Sequence, residues 1–247
     1  MGASQTHSEH KYQDLMSKTG FSLEQIKNLH NRFKQLSGNN ETISRENLDS
    51  VPGLAYNPIR KQIIEAFFDK RNQHENEVGS FEEIGFEQFI MVMSHFRPPS
   101  LKTTLEEKEA MRKEKLCFLF NMHDTDNDGI ITLEEYRKVV EELLSKSGAM
   151  GQEVAREIAD AAMLEVASTN VPHMVMESSR TSVTVNPHSH ISATNSFVWF
   201  QAPHEFYEGI TFEHFEQILK GLEMESRMYI RFLDVDTTTM HCGKSTA

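Results

Sequence analysis

The chain has 247 residues, of which 38% are hydrophobic and 25% charged, a globular composition that excludes a fibrous or wholly disordered chain. Lys and Arg number 25 against 37 Asp and Glu, a formal charge of −12. That balance argues against a nucleic-acid partner, because phosphate binding depends on basic side chains, and it suits a basic partner or a metal cation. No apolar run approaches the roughly 18 residues of a membrane helix, and the polar start lacks the apolar core of a secretory signal. Cys117 and Cys242, the only cysteines, make no disulfide framework. A soluble protein of a reducing compartment is expected.

In chain order, residues 1–20 read as a polar arm. Met1-Gly2-Ala3-Ser4-Gln5-Thr6 fits the pattern for N-myristoylation, with Gly2 as acceptor. One acyl chain holds a protein to a bilayer only marginally, and Lys11 and Lys18 are offset by Glu9 and Asp14, so stable membrane contact needs a protein partner. Ser22 and Gln25 form a capping box with Phe21 and Ile26 as its staple. Ile26, Leu29, Phe33 and Leu36 then follow at helical spacing. Asn57 is placed to cap a second helix with Pro58 at its first position, burying Ile63, Ile64, Phe67 and Phe68. Phe96-Arg97-Pro98-Pro99 ends the first half. Thr104 and Glu107 form another capping box, ahead of Leu116, Leu119 and Phe120.

An internal repeat organises these elements. Ile43, Ile84, Ile131 and Ile210 are each followed five residues later by Leu48, Phe89, Tyr136 or Phe215, and each lies between two helix-like stretches. The fold class expected is all-α, with four helix–loop–helix units in two lobes and short β pairing between loops. The N-lobe spans 21–97, a linker 98–111, the C-lobe 112–222, and a C-terminal helix and tail 223–247. Ile43 to Ile84 is 41 residues but Ile131 to Ile210 is 79. The surplus at 168–206 reads as a disordered insertion in the last unit. It carries the apolar run Phe197-Val198-Trp199-Phe200, and its His173, His188, His190 and His204 lack the tight spacing of a zinc site.

Residues 124–135, Asp-Thr-Asp-Asn-Asp-Gly-Ile-Ile-Thr-Leu-Glu-Glu, match the twelve-residue calcium loop at every diagnostic position. Asp124, Asp126 and Asp128 supply one carboxylate oxygen each at positions 1, 3 and 5. Gly129 permits the sharp turn. Ile130 offers its backbone carbonyl, Thr132 acts through a water, and Glu135 supplies two oxygens. One Ca2+ is therefore expected, with Mg2+ as the alternative at rest. Aligned on their Ile residues, the other loops place Asn47, Gln88 and His214 at position 12, Glu41, Glu82 and Glu208 at position 6, and Leu36, Glu77 and Pro203 at position 1. The second loop looks lengthened and its start is left open. These three read as structural units that have lost the metal.

Arg32-Phe33-Lys34-Gln35-Leu36-Ser37-Gly38, Asn57-Pro58-Ile59-Arg60, Ala66-Phe67-Phe68-Asp69, Arg112-Lys113-Glu114-Lys115-Leu116 and 133–145, with Met1-Gly2 and four hands, resemble the calcineurin B-homologous proteins of the EF-hand superfamily. The resemblance covers the chain except for about 168–206. It implies a myristoylated regulator that binds a cytoplasmic helix of plasma-membrane sodium/proton exchangers, supporting their maturation, surface stability and activity in pH regulation. It also implies inhibition of the phosphatase calcineurin, and residence in the cytoplasm, at the inner face of the plasma membrane including cell projections, and in the nucleus. Nine of the 13 Met lie after residue 100, where they serve as core filling or as an adaptable groove. A calcium-triggered sensor or a buffer is the rival reading. No nucleophile–base pair or phosphate loop points to an enzyme, and the scattered His7, His10, His30, His74 and His95 read as surface residues.

Overall fold

A computed structural model describes residues 12–73, 78–145, 151–178, 209–231 and 233. The described residues are mostly helical, with two short antiparallel strand pairs, as the periodicity predicts. They fall into two compact units, one drawn from Met1–Asp128 with Leu219–Ala247, the other from Gly129–Ile218. Within the first unit α6 packs with α4 and α10.

The first unit opens with α1 (12–19) and α2 (Leu23–Leu36), whose capping box forms as expected: the Ser22 hydroxyl accepts from Gln25 N–H and the Gln25 side chain accepts from Ser22 N–H. Strand β1 (Thr42–Ile43), α3 (Arg45–Asp49), α4 (Arg60–Phe68), β2 (Ile84–Gly85) and α5 (Phe86–Ser94) follow, with short 3-10 turns at Pro52–Leu54 and Lys70–Gln73. Ile43 faces Ile84 across the β1–β2 pair. The pairing brings α2 and α5 together, so that Phe33, Phe67 and Phe89 stack with ring centroids 5.5–6.1 Å apart. Phe67, Phe68 and Phe89 are fully buried, each contributing roughly 1.5–3 kcal/mol of transfer free energy.

One cap differs from expectation. α4 begins at Arg60 with Ile59 as its N-cap rather than at Pro58. The Asn57 side chain still takes the Ile59 N–H at 3.0 Å, but Ile59, at φ −98° and ψ 28°, keeps 57–59 in a turn. α6 (Leu105–His123) carries the Thr104–Glu107 capping box, and α10 (Met224–Arg227) precedes Met228, Ile230 and Leu233, which join the core of this unit. Buried Met228 thus serves as core filling. His95 is also buried, with Nε2 2.9 Å from the Asn72 carbonyl. The expectation of a surface histidine fails there because an imidazole inside a polar knot looks no different in sequence from an exposed one.

The second unit holds β3 (Ile130–Ile131), α7 (Leu133–Ser145), α8 (Gln152–Ser178), β4 (Ile210–Thr211) and α9 (Phe212–Ile218). Ile131 faces Ile210, repeating the pairing of the first two hands. α7 and α8 are joined by a bidentate Arg137–Asp160 pair at 2.6 and 2.8 Å. Ala155, Ala159 and Met163 are buried at successive i+4 steps of α8. The segment read as an insertion from 168 is helical through Ser178, while 179–206, including Phe197–Phe200, lies outside the described residues. No helix among the described residues is long and apolar enough to cross a membrane.

Candidate metal centre

The first half of loop 124–135 grows from the end of α6. Asp124 is the C-cap, its N–H bonded to the Phe120 carbonyl at 2.9 Å, and it is 1% exposed. The next residues fold back on it: Asp128 N–H donates to Asp124 Oδ1 at 3.2 Å and to Asp126 Oδ1 at 3.3 Å. Carboxylate oxygens of Asp124, Asp126 and Asp128 come within 4.8 Å of one another. Two like charges at ~4 Å repel by about 1–4 kcal/mol outside a dry interior, so a cation held among these oxygens would relieve that repulsion. The donor set is all hard oxygen, which suits Ca2+ or Mg2+ and not a soft metal. Asn127 at φ 65° and Gly129 at φ 87° make the turn.

The second half belongs to the second unit and has its own order. Glu135 is 5% exposed. Its Oε2 accepts from Thr132 N–H and Thr132 Oγ1, both at 3.0 Å, and Glu135 N–H donates back to Thr132 Oγ1 at 3.3 Å. Position 12 is therefore also the third residue of the exit helix, and its side chain caps that helix.

The other hands keep all or part of this cap. Asn47 Oδ1 accepts from Ser44 N–H at 2.8 Å, Gln88 Oε1 accepts from Gly85 N–H at 3.2 Å, and His214 N–H donates to Thr211 Oγ1 at 3.4 Å. Asn and Gln hold the helix start as Glu135 does, without a bidentate carboxylate. In the second hand the helix end places Asp69, not Glu77, at the loop entry: Asp69 is the C-cap of α4 as Asp124 is of α6. Its loop is longer, and 74–77 lie outside the described residues. Gly2 also lies outside them.

Sequence reasoning passed over Arg71. Its guanidinium pairs with Asp69 through Nε and Nη2 at 2.8–3.2 Å, reaches Asp124 Oδ2 through Nη1 at 2.8 Å, and donates through Nη2 to the carbonyls of Asn121 and Asp124, both at 2.9 Å. Burial opposes its charge, and the Asp69 and Asp124 carboxylates outweigh that burial and raise its pKa. An Asp-x-Arg step after an apolar helix is the only sequence trace of this contact.

No family model matches the chain. It is similar to the protein named Calcineurin B homologous protein 3 of Xenopus laevis, at 47% identity over 237 residues, covering 96% of this chain and 98% of that one. The protein of the same name from Homo sapiens is 46% identical over 242 residues, covering 97% and 99%. That from Gallus gallus is 44% identical over 228 residues, covering 92% and 94%.

Proposed function

The chain belongs to the calcineurin B homologous protein family, and on that premise we propose that it is a calcium-binding EF-hand regulator, not an enzyme, that holds a cytoplasmic helix of a plasma-membrane sodium/proton exchanger. The observation that carries the metal part is the convergence of the Asp124, Asp126 and Asp128 carboxylates within 4.8 Å. Ile130 through its carbonyl and Glu135 complete the ligand set in this reading, with Thr132 acting through a water. Bound Ca2+ supplies two positive charges that offset the gathered carboxylates, and Mg2+ is the resting alternative. Glu135 is already held by the exit-helix cap, so ligation draws on an ordered side chain.

Myristoylation of Gly2 supplies the membrane contact, with the exchanger as the second anchor. The place of action is then the cytoplasm and the inner face of the plasma membrane. Calcineurin is the second partner in this reading, through likeness to its regulatory subunit. Three hands keep their packing while Asn47, Gln88 and His214 offer no bidentate carboxylate at position 12, which supports a complex that persists without calcium. A metal at one loop shifts affinity by ~1–3 kcal/mol for a typical coupling, whereas each large apolar anchor of a target helix is worth ~1.5–3 kcal/mol before ordering costs.

The test is a titration of a labelled juxtamembrane exchanger peptide, in chelator and in calcium, with a peptide carrying charges on its apolar face as control. Binding in both conditions, lost with the charged peptide, is the expected result. A complex seen only with calcium makes the protein a triggered sensor instead, and no complex in either condition removes the exchanger helix as target.

A further inference from the structure

Asp69 and Asp124 occupy the same structural place, each the residue at which an entry helix ends. One guanidinium, that of Arg71, binds both. The second hand therefore carries its own cation on its loop-entry carboxylate, and that cation also grips Asp124 at the entry of the third hand. We propose that Arg71 is the built-in counter-ion of the second hand and a specificity-determining competitor of calcium at the third: it lowers calcium affinity by sharing Asp124, and calcium binding shifts it toward Asp69.

The division of labour on Asp124 supports competition over mere positioning. Asp124 Oδ1 is held by its own loop through Asp128 N–H, so the carboxylate stays oriented without Arg71. Arg71 Nη1 binds the other oxygen, Oδ2, at 2.8 Å. Two cations on one carboxylate repel each other, and the pair is buried, with side-chain exposures of 16% and 2%, where water screens little. Arg71 cannot lose its proton to escape the conflict. It can only move, and Asp69 already holds it by two nitrogens.

The contact also has somewhere to send a displacement. Asn72, next to Arg71, accepts from Asn121 Nδ2 on α6 at 3.0 Å, donates to the Ala66 carbonyl at 3.0 Å, and offers its own carbonyl to buried His95 at 2.9 Å. A shift of Arg71 is thereby felt at the ends of α4, α5 and α6, within one unit. Metal at the third hand is in this way read by the metal-free second hand.

This inference rests on the calcium reading of loop 124–135, and one calorimetric series separates the two. The full chain, Arg71→Gln and Asp69→Asn are titrated with Ca2+. Arg71→Gln is expected to bind about tenfold tighter, a change of ~1.4 kcal/mol, because the competing charge is gone. Asp69→Asn is expected to bind several-fold more weakly, because Arg71 is left to lean on Asp124 alone. Opposite signs are the signature, since two variants that merely loosen the fold would both weaken binding. Equal or weaker affinity in Arg71→Gln, or tighter binding in Asp69→Asn, overturns the inference while leaving calcium binding intact. Absence of calcium binding in the unaltered chain overturns the functional reading and this one with it. Should Arg71→Gln fail to fold, Asp69→Asn and the Arg71 Nε–Hε NMR resonance of the unaltered chain decide. That resonance is expected to move on adding Ca2+ and to stay still in Asp124→Asn; a resonance indifferent to Ca2+ in the unaltered chain refutes the competition.

Discussion

Lys115 Nζ donates to the carbonyl oxygen of Met228 at 3.4 Å, tying α6 to a segment 113 positions further along the chain. The same ammonium donates to the carbonyls of His95 at 2.6 Å and Arg97 at 2.9 Å, and Lys115 is 1% exposed. Three carbonyls from two segments, the end of α5 and the stretch after α10, converge on one buried cation, which closes the first unit around Met228, Ile230 and Leu233. Burial pulls the Lys115 ammonium down to about 8, with the nearby Arg97 charge acting in the same direction and Glu114 and Glu225 opposing it.

The sign of the pH dependence follows. Between about 8 in the fold and 10.5 for the ordinary lysine, the unfolded chain holds the proton that the folded chain has released, so stability rises with pH. Lys115→Met removes that rise. Denaturant unfolding is expected to show the signed gap, stability of the unaltered chain minus that of Lys115→Met, rising by about 1–2 kcal/mol from about pH 7.5 to about pH 9.5. A constant or falling gap contradicts it.

Calcium binding is expected to show one site per chain and a hyperbolic isotherm, with a dissociation constant of about 10⁻⁷ to 10⁻⁵ M. Asp124→Ala should abolish the heat, because the carboxylate at the loop entry is lost along with one of the three gathered charges. Isothermal calorimetry decides; two or more sites, or a sigmoidal curve, would require a second competent hand.

Gly209→Ala and Gly129→Ala are expected to differ. Gly209 has φ 134°, and a Cβ there would lie 2.6 Å from the Ile131 carbonyl oxygen and against Ile130 Cγ2. Strain and the forced opening of the β3–β4 pair should together cost about 2–4 kcal/mol. Gly129 has φ 87° with nothing within 4 Å of the built Cβ, so only backbone strain of about 1 kcal/mol applies. Thermal melts of the two variants measure the difference, and equal losses would show that contact at Gly209 does not matter.

Phe89→Ala should destabilise the first unit by about 3–5 kcal/mol, since the ring is fully buried between Phe33 and Phe67. Ser22→Ala should cost about 1 kcal/mol, through the loss of one cap. Denaturant midpoints give both, and a Phe89→Ala loss no larger than that of Ser22→Ala would mean the aromatic stack is not the core.

The Ile43–Ile84 and Ile131–Ile210 pairs, the caps at Ser22 and Thr104, and the acidic loop at 124–128 were legible in the amino-acid sequence, because each is built from residues a few positions apart or from a repeat that recurs at the same loop position. Helical spacing, a capping box and a ligand loop are local patterns, and local backbone geometry carries them into the fold. Only the tertiary structure decided the fates of Arg71, His95 and Lys115. In sequence each is one polar residue among many, and most such residues lie at the surface. Their burial depends on which helix ends are brought together: Arg71 meets a carboxylate 53 positions away, and Lys115 a carbonyl 113 positions away. The same holds for the entry to the second loop, where the end of α4 put Asp69 in the place that loop counting assigned to Glu77. A buried charge declares itself through its partners, and those partners become neighbours only when the chain has folded.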